Sequence, residues 1–117
     1  MYRDHRLFLD DIKECAEKVV RYTAGLSLES LRLDSKTFDA VARNLEIMGE
    51  AARHIPQEVR ERHPGVEWQK LTALRNIVAH EYFGLDYEIL WDIIQNHIPK
   101  LLEQFADIVG EEEGEAE

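Results

Sequence analysis

Apolar residues recur along most of this 117-residue chain at intervals of three and four, the spacing that turns one face of an α-helix towards a core. Between residues 4 and 24, Phe8, Ile12, Cys15, Val19 and Tyr22 form such a stripe between charges of both signs, and Gly25 stops it. The next stretch, LSLESLRLD, reads as a connector or short turn. Asp34 or Ser35 then caps a second helix whose buried side is Phe38, Val41, Ala42, Leu45, Met48, Ala52 and Ile55. Gly49 lies inside it, where glycine costs about 1 kcal/mol relative to alanine, so close approach of another backbone is its expected use. Pro56 opens a short helix, PQEVRERH, which HPG ends, and His63 reads there as a terminal surface residue.

A further helix starts near Val66 or Glu67, with Trp68, Leu71, Leu74 and Val78 on its buried side. The run FGLD breaks the period at residues 83 to 86, and Asp86 caps the last helix. From Tyr87 onward apolar residues cover more than one stripe, which predicts contact with two neighbours, inside the monomer or across an oligomer interface. Pro99 removes a helical donor and is expected to bend or restart this helix; His97 beside it reads as structural or surface-exposed. The pattern as a whole predicts an all-α fold, an antiparallel bundle of four long helices plus one short helix. The domain is expected to span residues 1–110, leaving 111–117 as a frayed acidic tail.

Composition narrows the setting. The chain has a single cysteine, Cys15, which excludes an internal disulfide framework and suits a reducing compartment. No apolar run reaches the roughly 20 residues of a membrane span, and MYRDHRLF leads into an amphipathic pattern instead of a secretion signal. The expected location is therefore the cytoplasm, without a membrane partner. Net charge is -10, yet residues 101 to 117 carry seven acids and no base, so the first hundred residues sum to -3. Residues 36 to 75 hold seven bases against six acids. Tight sequence-independent binding of duplex DNA is thereby disfavoured, whereas a local basic site is not.

Candidate chemistry concentrates in LRNIVAHEYF, residues 74 to 83, where Arg75, Asn76, His80 and Tyr82 interrupt an apolar run. Asn76 and His80 stand one turn apart, whereas Arg75 and His80 are separated by about 140° around the axis and about 7 Å along it. A second copy of the chain would complete a site from such a pair more easily than one copy alone. Zinc-binding HExxH, paired cysteines, phosphate-binding glycine loops and the GxSxG elbow are all missing from the sequence, and no metal-ligand spacing emerges. Histidine exchanges protons near neutral pH, and the arginine fork grips phosphate. Together they suit metal-free cleavage of RNA by its own 2′-hydroxyl, with His80 moving protons, Arg75 neutralising phosphoryl charge and Asn76 orienting or binding. The same residues also fit a purely structural helix. Arg43, Asn44 and Glu50 on the second helix admit two readings as well: solvated residues in intrahelical ion pairs, or further lining of the cleft that binds or orients RNA.

The run Arg75-Asn76-Ile77-Val78-Ala79-His80-Glu81-Tyr82 resembles the Arg-x4-His motif of the HEPN superfamily, with the His-x-Tyr extension of HepT-like toxins. ARNLEIMGEAARHIP at residues 42 to 56 resembles the second-helix signature of the same family. The resemblance implies an all-helical homodimer acting as a metal-independent endoribonuclease, with Arg75 and His80 as the catalytic pair in a composite cleft. No cofactor is implied for cleavage. It also implies a partner, a minimal nucleotidyltransferase antitoxin that uses ATP as AMP donor and modifies Tyr82. Two alternatives belong to other classes: a non-catalytic interaction subunit, and a nucleotide-binding partner of a nucleotidyltransferase.

Overall fold

The computed structural model describes residues 4–81 and 86–115. Among them there are only helices: α1 (His5–Thr23), α2 (Leu28–Leu33), α3 (Ser35–Arg53), α4 (Gln57–Arg62), α5 (Trp68–Glu81), α6 (Tyr87–Asp92) and α7 (Ile98–Glu115), with a π-helical turn, Ile93–His97, joining the last two. The fold is all-α, and α1, α3, α5 and α7 are its long members. They are ordered in space as α5, α3, α1, α7, each packed on the next. Phe8 near the start of α1 meets His54 at the end of α3, and His5 meets Glu112 near the end of α7, so α1 runs antiparallel to both neighbours.

Capping chemistry marks the starts. The Asp34 carboxylate accepts from the Thr37 backbone N–H at 3.0 Å and from the Thr37 hydroxyl at 2.7 Å, satisfying a donor that the first turn of α3 leaves open. Asp86 does the same for Glu88 and Ile89 at the start of α6. The stretch expected as a connector contains a six-residue helix, α2, closed by a reciprocal Ser27 and Ser30 cap and anchored by the fully buried Leu31. A single buried side chain is too little periodicity to have revealed it. At the other corner Arg60 donates to the carbonyls of Ala52 (2.6 Å) and Ile55 (3.2 Å), closing the end of α3.

The core is the union of the apolar stripes. Ile12, Val19, Val41, Leu45, Met48, Ala52 and Phe105 are fully buried in it, as is most of Trp68, whose ring meets Phe105 edge-on at 5.8 Å. Cys15 is a buried thiol, and that burial pushes its pKa up, as expected of a small core residue. Pro99 neither breaks the last helix nor restarts it after a loop. The chain inserts one wide turn before it, in which the Ile98 N–H donates to the Ile93 carbonyl, five residues back. Proline offers no N–H to the residue four before it, and a π-helical turn at this point absorbs the lost bond while the helix axis continues.

The C-terminal segment also differs from expectation. Helix α7 continues to Glu115, and Glu112 is 3% exposed. Its carboxylate accepts two hydrogen bonds from Arg62, at 2.6 and 3.0 Å, pairs with His63 Nε2 at 2.7 Å and reaches His5 Nε2 at 3.3 Å. His63 is accordingly no surface terminus: its side chain is 10% exposed. The Arg62 hydrogen bonds lead the causes that hold Glu112 down at about 2, with burial opposing and His63 adding to them. One acidic residue of the presumed tail thus ties the ends of α1, α4 and α7 together.

Candidate active site

Helix α5 carries Arg75 and Asn76 on its outer side. Leu71, Leu74 and Val78 are buried, whereas Arg75 and Asn76 are exposed. His80 belongs to the same helix, one turn after Asn76; Tyr82 lies outside the described residues. The sequence-level picture of a helix with one buried face and one polar face therefore holds for residues 68 to 78.

Gly49 sets the position of Arg75. A Cβ built on Gly49 would lie 2.6 Å from the Arg75 backbone nitrogen and 3.1 Å from its Cβ, so α3 and α5 meet backbone to backbone at this point. This is the close approach expected of a glycine inside a helix. Alanine here gains about 1 kcal/mol of helix propensity, but the clash is with main chain, which gives only if two helices part, and such overpacking costs about 1–3 kcal/mol. Gly49→Ala is expected to be net destabilising in urea denaturation, and to displace Arg75; unchanged stability would mean that the helices separate at no cost.

Across the same contact the Glu50 carboxylate meets two guanidinium groups and an imidazole. Arg75 Nε is 3.3 Å from Oε2, Arg53 Nη1 is 3.1 Å from Oε2, and His54 Nε2 is 3.5 Å from Oε1. Desolvation raises the Glu50 pKa, but the Arg53 and Arg75 charges outweigh it and the net direction is down, so the group is ionised near neutral pH. Because Glu50 touches the inner nitrogen of the arginine fork, it can fix the plane of the guanidinium without covering its outer edge. Sequence reasoning missed His54, since a histidine at a helix end carries no periodic signal. Its imidazole stacks on Phe8 with centroids 4.7 Å apart and planes at 14°.

Arg43, Glu50 and Arg75 line one open cleft between α1, α3 and α5. Arg43 is 68% exposed and pairs loosely with Glu46 at 3.6 Å. Asn44 does not join them. It is buried at 8% exposure, and its side-chain amide donates to the Ala40 carbonyl at 2.8 Å, which corrects its assignment to the cleft. Its position, one residue from Arg43, turns it by about 100° into the core. Among the described residues no group of three His, Cys, Asp or Glu side chains converges as metal ligands, and no helix is long and apolar enough to cross a membrane.

These features define a helical bundle with an arginine-centred polar cleft beside an exposed helix face. The sequence matches the ribonuclease HepT-like family over residues 12–108, and the chain belongs to that family. Similar proteins include "Putative RNase MJ0127" of Methanocaldococcus jannaschii, 36% identical over 98% of this chain and 95% of that protein. "Putative RNase MJ1380" of the same organism is 41% identical over 85% of this chain and 91% of its own length. "Probable ribonuclease HepT" of Thermococcus cleftensis is 37% identical over 92% of this chain and 98% of its own. No solved structure matches.

Proposed function

We propose that this chain is a metal-independent endoribonuclease toxin whose active cleft forms between two copies, with Arg75 and His80 as the catalytic pair. The observation that carries this reading is the seating of Arg75. Backbone contact at Gly49 and the Glu50 carboxylate hold an exposed guanidinium at a defined height on the helix that also bears His80. Arg75 grips a phosphodiester through its fork while the ribose 2′-oxygen attacks the adjacent phosphorus. The hydroxyl proton passes to a histidine acting as base, the bond to the 5′-oxygen breaks, and that oxygen takes a proton from a histidine acting as acid. The two copies of His80 in a dimer supply the two roles. Asn76 orients the histidine or binds phosphate, and Arg43 and Glu50 serve the same cleft.

The partner in this reading is a minimal nucleotidyltransferase antitoxin. The Tyr82 phenolic oxygen attacks the α-phosphorus of ATP, pyrophosphate leaves, and the tyrosine carries AMP. The added phosphate charge and bulk repel and obstruct RNA. A cytoplasmic location follows from the substrate and the partner.

Incubation of the purified protein with a mixed RNA pool in excess chelator tests the chemistry. Cleavage that persists and leaves 2′,3′-cyclic phosphate and 5′-hydroxyl ends is the expected result; cleavage abolished by chelation, or 5′-phosphate ends, sinks it. A second reading, a non-catalytic subunit that docks the nucleotidyltransferase, is favoured by a separate observation. Helices α5 and α7 part to leave a groove of about 190 Å³ lined by Leu71, Leu74, Ile77, Ile93 and Leu101. Stable complex formation by a protein that leaves every RNA intact would select it.

A further inference from the structure

The cleft between α1, α3 and α5 has a mixed character that a phosphate site alone does not require. Its apolar lining is Phe8, Ile47 and Ala51, and its polar lining is Asp11, Arg43, Glu46, Glu50 and Arg75. Three carboxylates thus face two guanidinium groups. Charges of both signs share this rim, and Glu50 is further paired with Arg53, so charge alone does not select a second phosphate there, whereas the apolar wall suits a neutral ring that offers N–H donors.

We propose that this cleft is a base-binding subsite of the RNA substrate, selecting an unpaired base that bears an exocyclic amino group next to the phosphodiester held by Arg75. The inference rests on the ribonuclease reading above and adds what that cleft recognises. The base lies against Phe8, Ile47 and Ala51 and donates through its amino group to the rim carboxylate of Glu46. Carboxylates accept hydrogen bonds from base amino groups, as they do from cytosine N4, and unpaired bases in RNA are read by ring contact plus their hydrogen-bonding edges. Uracil is disfavoured because its single N–H is flanked by two carbonyl oxygens, which a carboxylate repels. Arg75 stands at the boundary of the cleft, so a base inside it and a phosphate on the outer face of α5 belong to one nucleotide step.

His54 is the positioning residue of this subsite. Its ring covers one face of Phe8 and holds that side chain in plane, while its Nε2 meets the carboxylate that orients Arg75. The base wall and the phosphate grip are therefore braced by the same imidazole.

Binding of 2′-O-methyl hexamers of A, C and U, which cannot be cleaved by 2′-hydroxyl attack, provides the test. Wild type is expected to bind the A and C hexamers about tenfold more tightly than U. Glu46→Gln is expected to close most of that gap, since a side-chain amide both donates and accepts. Phe8→Leu keeps an apolar side chain against the core and is expected to weaken all three probes about threefold or more through loss of ring contact. Equal binding of the three hexamers by wild type, or a preference that survives in Glu46→Gln, overturns the subsite even if RNA is cut. Selective binding without cleavage of any natural RNA would keep the subsite and overturn the ribonuclease reading instead.

Discussion

Arg75→Ala is expected to lower single-turnover RNA cleavage by about a hundred- to thousandfold, the usual effect of removing one group that stabilises developing charge. His80→Ala is expected to lose about a hundred- to ten-thousandfold, because general acid and general base assistance disappear together. The double variant should fall little below the worse single one, since residues that act in one step do not contribute additively. Loss of activity by unfolding is separable from loss of chemistry. Arg75 is 47% exposed and packs through its backbone on Gly49, so circular dichroism and sedimentation of Arg75→Ala should match wild type. Glu50 retains Arg53 and His54 as partners in that variant. Arg75→Lys keeps the charge but loses the bidentate fork, and should recover only part of the rate. A carefully purified double variant with full activity would end the catalytic assignment of both residues.

The second large effect concerns stability. Glu112→Ala leaves Arg62 and the 10%-exposed His63 without the carboxylate that joins them, and is expected to cost about 2–4 kcal/mol. That is a large share of the roughly 5–15 kcal/mol that a domain has, and should lower Tm by about 10 °C. Termination after Gly110 should do similar damage, although it removes only acidic, apolar-poor sequence. Acid titration offers an independent check. The folded-state pKa of Glu112 lies below its ordinary value of 4.5, at about 2. Its contribution is therefore present above about 4.5 and lost as pH falls from there towards 2, with an upper size on the order of 3 kcal/mol. Wild type should lose stability more steeply than Glu112→Ala across that window. Parallel acid profiles would show that the carboxylate is not a net stabiliser.

These two regions differ in how far the sequence disclosed them. The long helices and their buried faces were legible, because burial on one side imposes a 3.6-residue period on composition, as Leu71, Leu74 and Val78 illustrate. Gly49 was legible for a related reason: a costly residue within a helix implies a contact that needs its small size. Arg75 and Asn76 could be placed on an exposed face from spacing alone. The relation between helices could not. Glu50 reaching Arg75, or Glu112 reaching Arg62 and His5, joins residues 25, 50 and 107 positions apart, and no local pattern encodes the rotation of one helix against another. Asn44 failed as a cleft residue for the same reason. A polar side chain in a buried row looks like a surface residue until its bond to the Ala40 carbonyl is seen. The two histidines misjudged or missed, His63 and His54, both lie at helix ends, where periodicity gives out.

The direct seat of α5 on Gly49 has a consequence for how this scaffold can change over time. The height of Arg75 is set by main chain against main chain, so it does not depend on the size of any side chain in the contact. Exposed neighbours such as Gln69 and Asn76 can then be exchanged without shifting the guanidinium. A protein built this way can diversify what its outer face recognises while its central cation keeps one address, and the glycine on the opposing helix is the position that such drift must spare.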